Sequence, residues 1–61
     1  MTISLVLHLQ SEDVLLFHGT ASECPPIPRA GDEVMHASRR VKLEGIQYSY
    51  QNEHVEISLL A

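Results

Sequence analysis

The chain has 61 residues, a formal charge of −4 from four basic and eight acidic residues, and a single cysteine, Cys24. A chain this short forms one domain, residues 1–61, and buries only about 60% of the surface that its unfolded form exposes, so its own core is marginal. A lone cysteine excludes an intrachain disulfide and points to a reducing, cytoplasmic setting. The acidic balance also disfavours sequence-blind attachment to nucleic-acid phosphates.

The first segment alternates with a period of two, Ile3, Leu5, Leu7 and Leu9 on one side and Ser4, Val6, His8 and Gln10 on the other. That is the pattern of a strand. With no basic residues ahead of it and no apolar run of about 18 residues anywhere, Met1–Leu9 reads as a strand opening at a natural start, not as a leader or a membrane span. Polar Gln10–Asp13 reverses the chain into Val14-Leu15-Leu16-Phe17, which ends near Gly19. A hairpin with Ser11-Glu12 at its tip sets Leu9 opposite Val14 and Leu7 opposite Leu16. In that register, or one slipped by a residue, apolar side chains occupy both faces of the hairpin.

Residues 20–32 are irregular. Pro25, Pro26 and Pro28 fix φ and remove amide donors, which makes this a stiff extended connector that lays Ile27 on the core and holds at most one turn of 3₁₀ helix. Its PxxP spacing offers a docking motif for an aromatic groove, but the connector role is the simpler reading. Gly31-Asp32 opens a third strand, Glu33–His36. A turn at Ala37-Ser38 then pairs Val34 with Val41 and Glu33 with Lys42. The fourth strand runs from Arg39 to about Tyr50 and changes parity midway: Val41 and Leu43 share a face, and the apolar set then moves to Ile46, Tyr48 and Tyr50. A β-bulge or bend at Glu44-Gly45 accounts for the change. A two-residue loop at Asn52-Glu53 next sets Tyr50 against Val55, Tyr48 against Ile57 and Ile46 against Leu59. The class is all-β, five short antiparallel strands curling into a small barrel or curled sheet that hides most of its edges.

The segment Pro28-Arg29-Ala30-Gly31-Asp32-Glu33-Val34, followed by a short hairpin, a bent strand and a final alternating strand, resembles small SH3-like β-barrels, in many of which a Pro-x-x-Gly-Asp-x-Val stretch opens a core strand. The likeness spans residues 28–59 and is also similar to short bacterial and phage proteins. It implies a fold and not a function. The aromatic groove of peptide-binding SH3 domains is missing, with no Trp and only Phe17, Tyr48 and Tyr50 as aromatics, so proline-peptide binding is not implied.

No catalytic residue, cofactor or metal set is assigned. Cys24 stands between Glu23 and Pro25 with no nearby Lys to activate it, which makes an inert thiol the reading over a Cys–His nucleophile. The pairs Glu12-Asp13 and Asp32-Glu33 lie in turns, where acids cap or solvate. His8, His18, His36 and His54 show no ligand spacing within one element; only His8 and His18, on adjacent strands, could meet, and the set could make association pH-dependent. Arg39, Arg40 and Lys42 form the one basic cluster and are the candidates for nucleic-acid contact, against a solvated edge that discourages aggregation.

The apolar surplus of the first hairpin says more. With Ile3, Leu5, Leu7, Leu9, Val14 and Leu16 facing the core, Val6, Leu15 and Phe17 remain on the opposite side, and such a cluster marks an interface. Burying each is worth roughly 1.5–3 kcal/mol. The expectation is a non-enzymatic protein-binding or self-associating module, a homo-oligomer or the companion of a protein partner, with no membrane contact. Its acidic body suits an accessory or inhibitory protein that occupies a basic surface. The alternatives are a nucleic-acid-binding barrel and a ligand or metal site between subunits.

Overall fold

Two hairpins, one from each end of the chain, meet side by side in a computed structural model that describes all 61 residues. Strands β1 (Thr2–His8) and β2 (Asp13–Thr20) form the first, β5 (Gly45–Gln51) and β6 (His54–Leu60) the second. They join through a parallel pairing of β1 with β6, Thr2 opposite His54 through His8 opposite Leu60, which gives a four-stranded sheet in the order β2-β1-β6-β5. Strands β3 (Glu33–His36) and β4 (Arg39–Lys42) make a separate two-stranded hairpin. The all-β class therefore holds, with six strands in place of five, a mixed sheet in place of an antiparallel one, and no closed barrel.

The strands that make the parallel seam are the greasiest, and the seam is where the core sits. Leu5 and Leu7 of β1 and Val55, Ile57 and Leu59 of β6 are buried on one face of the sheet. The cover over them comes from Cys24 and Ile27 of the proline-rich connector, Val34 and Val41 of the β3–β4 hairpin, and Leu43. The connector includes a single 3₁₀ turn, Ala21–Glu23, and Ile27 rests on the core as its sequence suggests.

The continuous strand expected from Arg39 to Tyr50 is instead interrupted at Leu43-Glu44. The Gly31-Asp32 turn holds this interruption from both sides: Gly31 N–H donates to the Leu43 carbonyl at 2.7 Å and Leu43 N–H to the Asp32 carbonyl at 2.9 Å. Gly31 adopts φ 95°, a conformation costly for any residue with a Cβ, and Asp32 Oδ2 accepts from Arg29 N–H at 2.9 Å. The Pro-x-x-Gly-Asp stretch thus clamps the link between β4 and β5, and the parity change read as a bulge is the point where Leu43 dips into the core.

The two later hairpins have the expected registers, Val34 opposite Val41 and Glu33 opposite Lys42, and Tyr50, Tyr48 and Ile46 opposite Val55, Ile57 and Leu59. The Ala37-Ser38 turn holds both residues at positive φ, 51° and 63°, which glycine or asparagine adopts at lower cost. Ser38→Gly should therefore stabilise the protein by about 1 kcal/mol, read as a higher urea midpoint at unchanged slope.

The first hairpin departs from expectation. Leu7 pairs with Val14, Val6 with Leu15 and Leu5 with Phe17, with a bulge that leaves Leu16 as the extra residue. The proposed pairs Leu9 with Val14 and Leu7 with Leu16 do not form. Inserting one residue between Leu15 and Phe17 restores a common face, so Val14 and Phe17 both pack on the core while Leu15 points away.

Candidate functional site

One face of the four-stranded sheet carries the covering layer, and the other is open. Alternation along β1 puts Thr2, Ser4, Val6 and His8 on the open face, and the registers extend these positions into rows. His18, Ser4, Glu56 and Ser49 form one row, Thr20, Thr2, His54 and Gln51 a second, and Leu15, Val6, Ser58 and Gln47 a third.

The open face divides into a polar end and an apolar end. At the polar end Ser4, only 7% exposed, lies under two imidazoles. Its Oγ is 2.8 Å from His18 Nδ1 and 3.4 Å from His54 Nε2, while Thr2 Oγ1 is 2.7 Å from His54 Nδ1. The rings sit 6.0 Å apart at 42°. Each hydroxyl donates once, so with neutral rings the four groups form a chain that runs in one direction and satisfies the hydroxyl of Ser4. No carboxylate hydrogen-bonds either ring, and no group of three or more His, Cys, Asp or Glu is placed to hold a metal ion.

The histidine pairing differs from expectation. His8 and His18 do lie on adjacent strands, but His8 opposes Asp13, with Nδ1 2.9 Å from Oδ1, and His18 opposes Ser4. It is His18 and His54 that converge, because β1 brings the two hairpins together in parallel. That non-local pairing leaves no mark in residue spacing, so no local sequence signal could have found it.

At the apolar end Leu15 is 61% exposed, Leu16 is also exposed and Val6 is half-buried. Phe17, grouped with Val6 and Leu15 on sequence alone, is corrected out of this patch: opposite Leu5, it packs on the core. Leu16, expected in the core, replaces it at the surface.

The basic cluster occupies a different region. Arg39, Arg40 and Lys42 are all exposed and line, with His8 and His36, a cleft of about 680 Å³ between the β1–β2 turn and the β3–β4 hairpin. Lys42 faces Glu33 in the expected register, yet no ion pair closes there; His8–Asp13 is the one acid–base contact in the molecule. Neither tyrosine lines this cleft. Tyr48 and Tyr50 do share the face of Ile57 and Val55, but at the sheet edge they extend beyond the cover and are 50% and 71% exposed, correcting their expected burial. Their rings stack on each other at 6.3 Å and 13°. Cys24 is half-buried, its Sγ 3.3 Å from the Pro25 carbonyl oxygen.

Comparison with protein-family models, characterised proteins and solved structures finds no match to this chain. No helix is long and apolar enough to cross a membrane.

Proposed function

We propose that the chain is a non-enzymatic module that works by contact with protein, a partner or a second copy, through the open face of its first hairpin at Val6, Leu15 and Leu16. The observation that carries this reading is the one-sided cover of the sheet. The accessible surface is 4463 Å² for a mass of 6.8 kDa, against about 3,950 Å² for an ordinary monomer of that mass. Only seven of 61 residues are buried. The excess of roughly 500 Å² is a sizeable part of the approximately 800 Å² that one partner commonly contributes to a specific interface.

The likeness of residues 28–59 to SH3-like barrels belongs to this proposal: a sheet with a hairpin laid across one face serves as a half-open version of such a barrel. An acidic body with an apolar patch suits a cytoplasmic accessory protein that settles on a basic surface. Contact with nucleic acid through Arg39, Arg40 and Lys42 is the second reading, favoured by three cations that share a cleft and form no ion pair. It ranks lower because none of Phe17, Tyr48 and Tyr50 lines that cleft to stack a base.

Leu15→Glu tests the first reading. The substitution lies on the surface and should change stability by no more than about 0.5 kcal/mol, while light scattering and pull-down should show loss of oligomer or bound protein. Unchanged association with an intact fold would overturn the hairpin surface.

A further inference from the structure

The backbone pattern of the sheet leaves one edge strand ready to pair. Thr2 N–H donates to the Glu53 carbonyl and Ala61 N–H to the His8 carbonyl, so in this parallel ladder the odd-numbered residues of β6 turn their amides and carbonyls toward β1. The even-numbered ones, His54 to Leu60, turn theirs toward β5 and engage its odd-numbered residues across the antiparallel register. Ile46, Tyr48 and Tyr50 are left with N–H and C=O groups directed away from the sheet.

Edges of this kind are normally blunted by charge, proline, a bulge or a cover. Strand β5, Gly-Ile-Gln-Tyr-Ser-Tyr-Gln, has no charged residue and no proline, and its seven residues pair with β6 without a break in register. The opposite edge is protected: β2 carries a bulge at Leu15-Leu16, begins at Asp13 and runs directly into the 3₁₀ turn.

We propose that β5 pairs antiparallel with β5 of a second copy, across a two-fold axis at Tyr48, to make one continuous eight-stranded sheet. The register places Tyr48 against its own counterpart and Ile46 of one copy against Tyr50 of the other, with Gln47 against Ser49 on the opposite face. All three outward-directed residues of each copy then find partners, for ~6 backbone hydrogen bonds. The exposed tyrosines gain aromatic and aliphatic cross-strand neighbours. The pattern of the strand selects the occupant: Ile46-Gln47-Tyr48-Ser49-Tyr50 is near-symmetric about Tyr48, so a single antiparallel register sets apolar against apolar and amide against hydroxyl in both copies. Although each copy carries −4 overall, β5 itself brings no carboxylate to the seam. The inference shares with the proposed function the idea of protein contact but uses a different edge.

The test is a full-length synthetic chain methylated at the Tyr48 amide nitrogen, which blocks pairing at the outer edge and leaves the β5–β6 ladder intact. Its dimer dissociation constant, from light scattering over a concentration series, should rise about tenfold or more, with circular dichroism unchanged. In a Cys24→Ser background, Tyr48→Cys should oxidise to a covalent dimer and Tyr50→Cys should not, because position 50 faces position 46. A dimer that tolerates the methyl group but is lost on Leu15→Glu overturns edge pairing and supports the hairpin surface. A dimer lost on methylation but kept by Leu15→Glu supports edge pairing and removes self-contact from the hairpin. A monomer at every concentration overturns edge pairing and leaves the hairpin surface to be judged by pull-down alone.

Discussion

Leu43→Ala should cost the protein about 2–5 kcal/mol, the usual range for truncating an enclosed leucine. A domain of this length has on the order of 3–9 kcal/mol in total, so between about a quarter of the stability and all of it is expected to go. Leu43 is fully enclosed, although it belongs to neither β4 nor β5. Its backbone is gripped through both N–H and C=O by the Gly31-Asp32 turn, which keeps the link from sinking to fill the space left behind. Urea denaturation followed by far-ultraviolet circular dichroism reads the effect directly. A midpoint equal to that of the parent would show that the link does not anchor the covering layer.

Phe17→Glu is the second large effect, and its sign separates the structure from the reading of sequence alone. Had Phe17 shared an outer face with Val6 and Leu15, glutamate there would dissociate an assembly and leave the subunit folded. Because the bulge turns Phe17 onto Leu5 and the core, the substitution removes a packed ring and introduces a carboxylate against leucines. The expected loss is about 2–4 kcal/mol from the missing ring together with the desolvated charge. The same denaturation experiment should show Leu15→Glu close to the parent and Phe17→Glu far below it. A Phe17→Glu protein as stable as the parent would return the ring to the surface.

These two residues also show what the sequence could and could not reveal. The β3–β4 and β5–β6 hairpins were legible because two-residue turns and facing apolar pairs specify one another locally: Val34 with Val41, and Tyr48 with Ile57. Register in the first hairpin was not. Its bulge contains two leucines and no glycine, so residue type gives no sign of the extra position. The interruption at Leu43-Glu44 was visible as a change of parity but not as a break, because the clamp that creates it comes from Gly31 and Asp32. Of the proposed contact surface, Val6 and Leu15 followed from alternation on β1 and the apolar run of β2. The grouping of Ser4, His18 and His54 required the meeting of β1 and β6, which no local pattern encodes. Alternation gives the tyrosines the right face but too much burial, since periodicity reports direction and says nothing of how far a cover extends.

The parallel seam sets the tempo at which the molecule forms. Each of its pairs joins residues 52 positions apart, Thr2 with His54 onward, so the central contacts belong to the slow, high-contact-order kind. Isolated hairpins form in microseconds but are marginal without a second layer to lie against. Until the two ends of the polypeptide find each other, nascent chains hold an uncharged, tyrosine-bearing segment in the open, and crowding during synthesis sets a race between closure and aggregation.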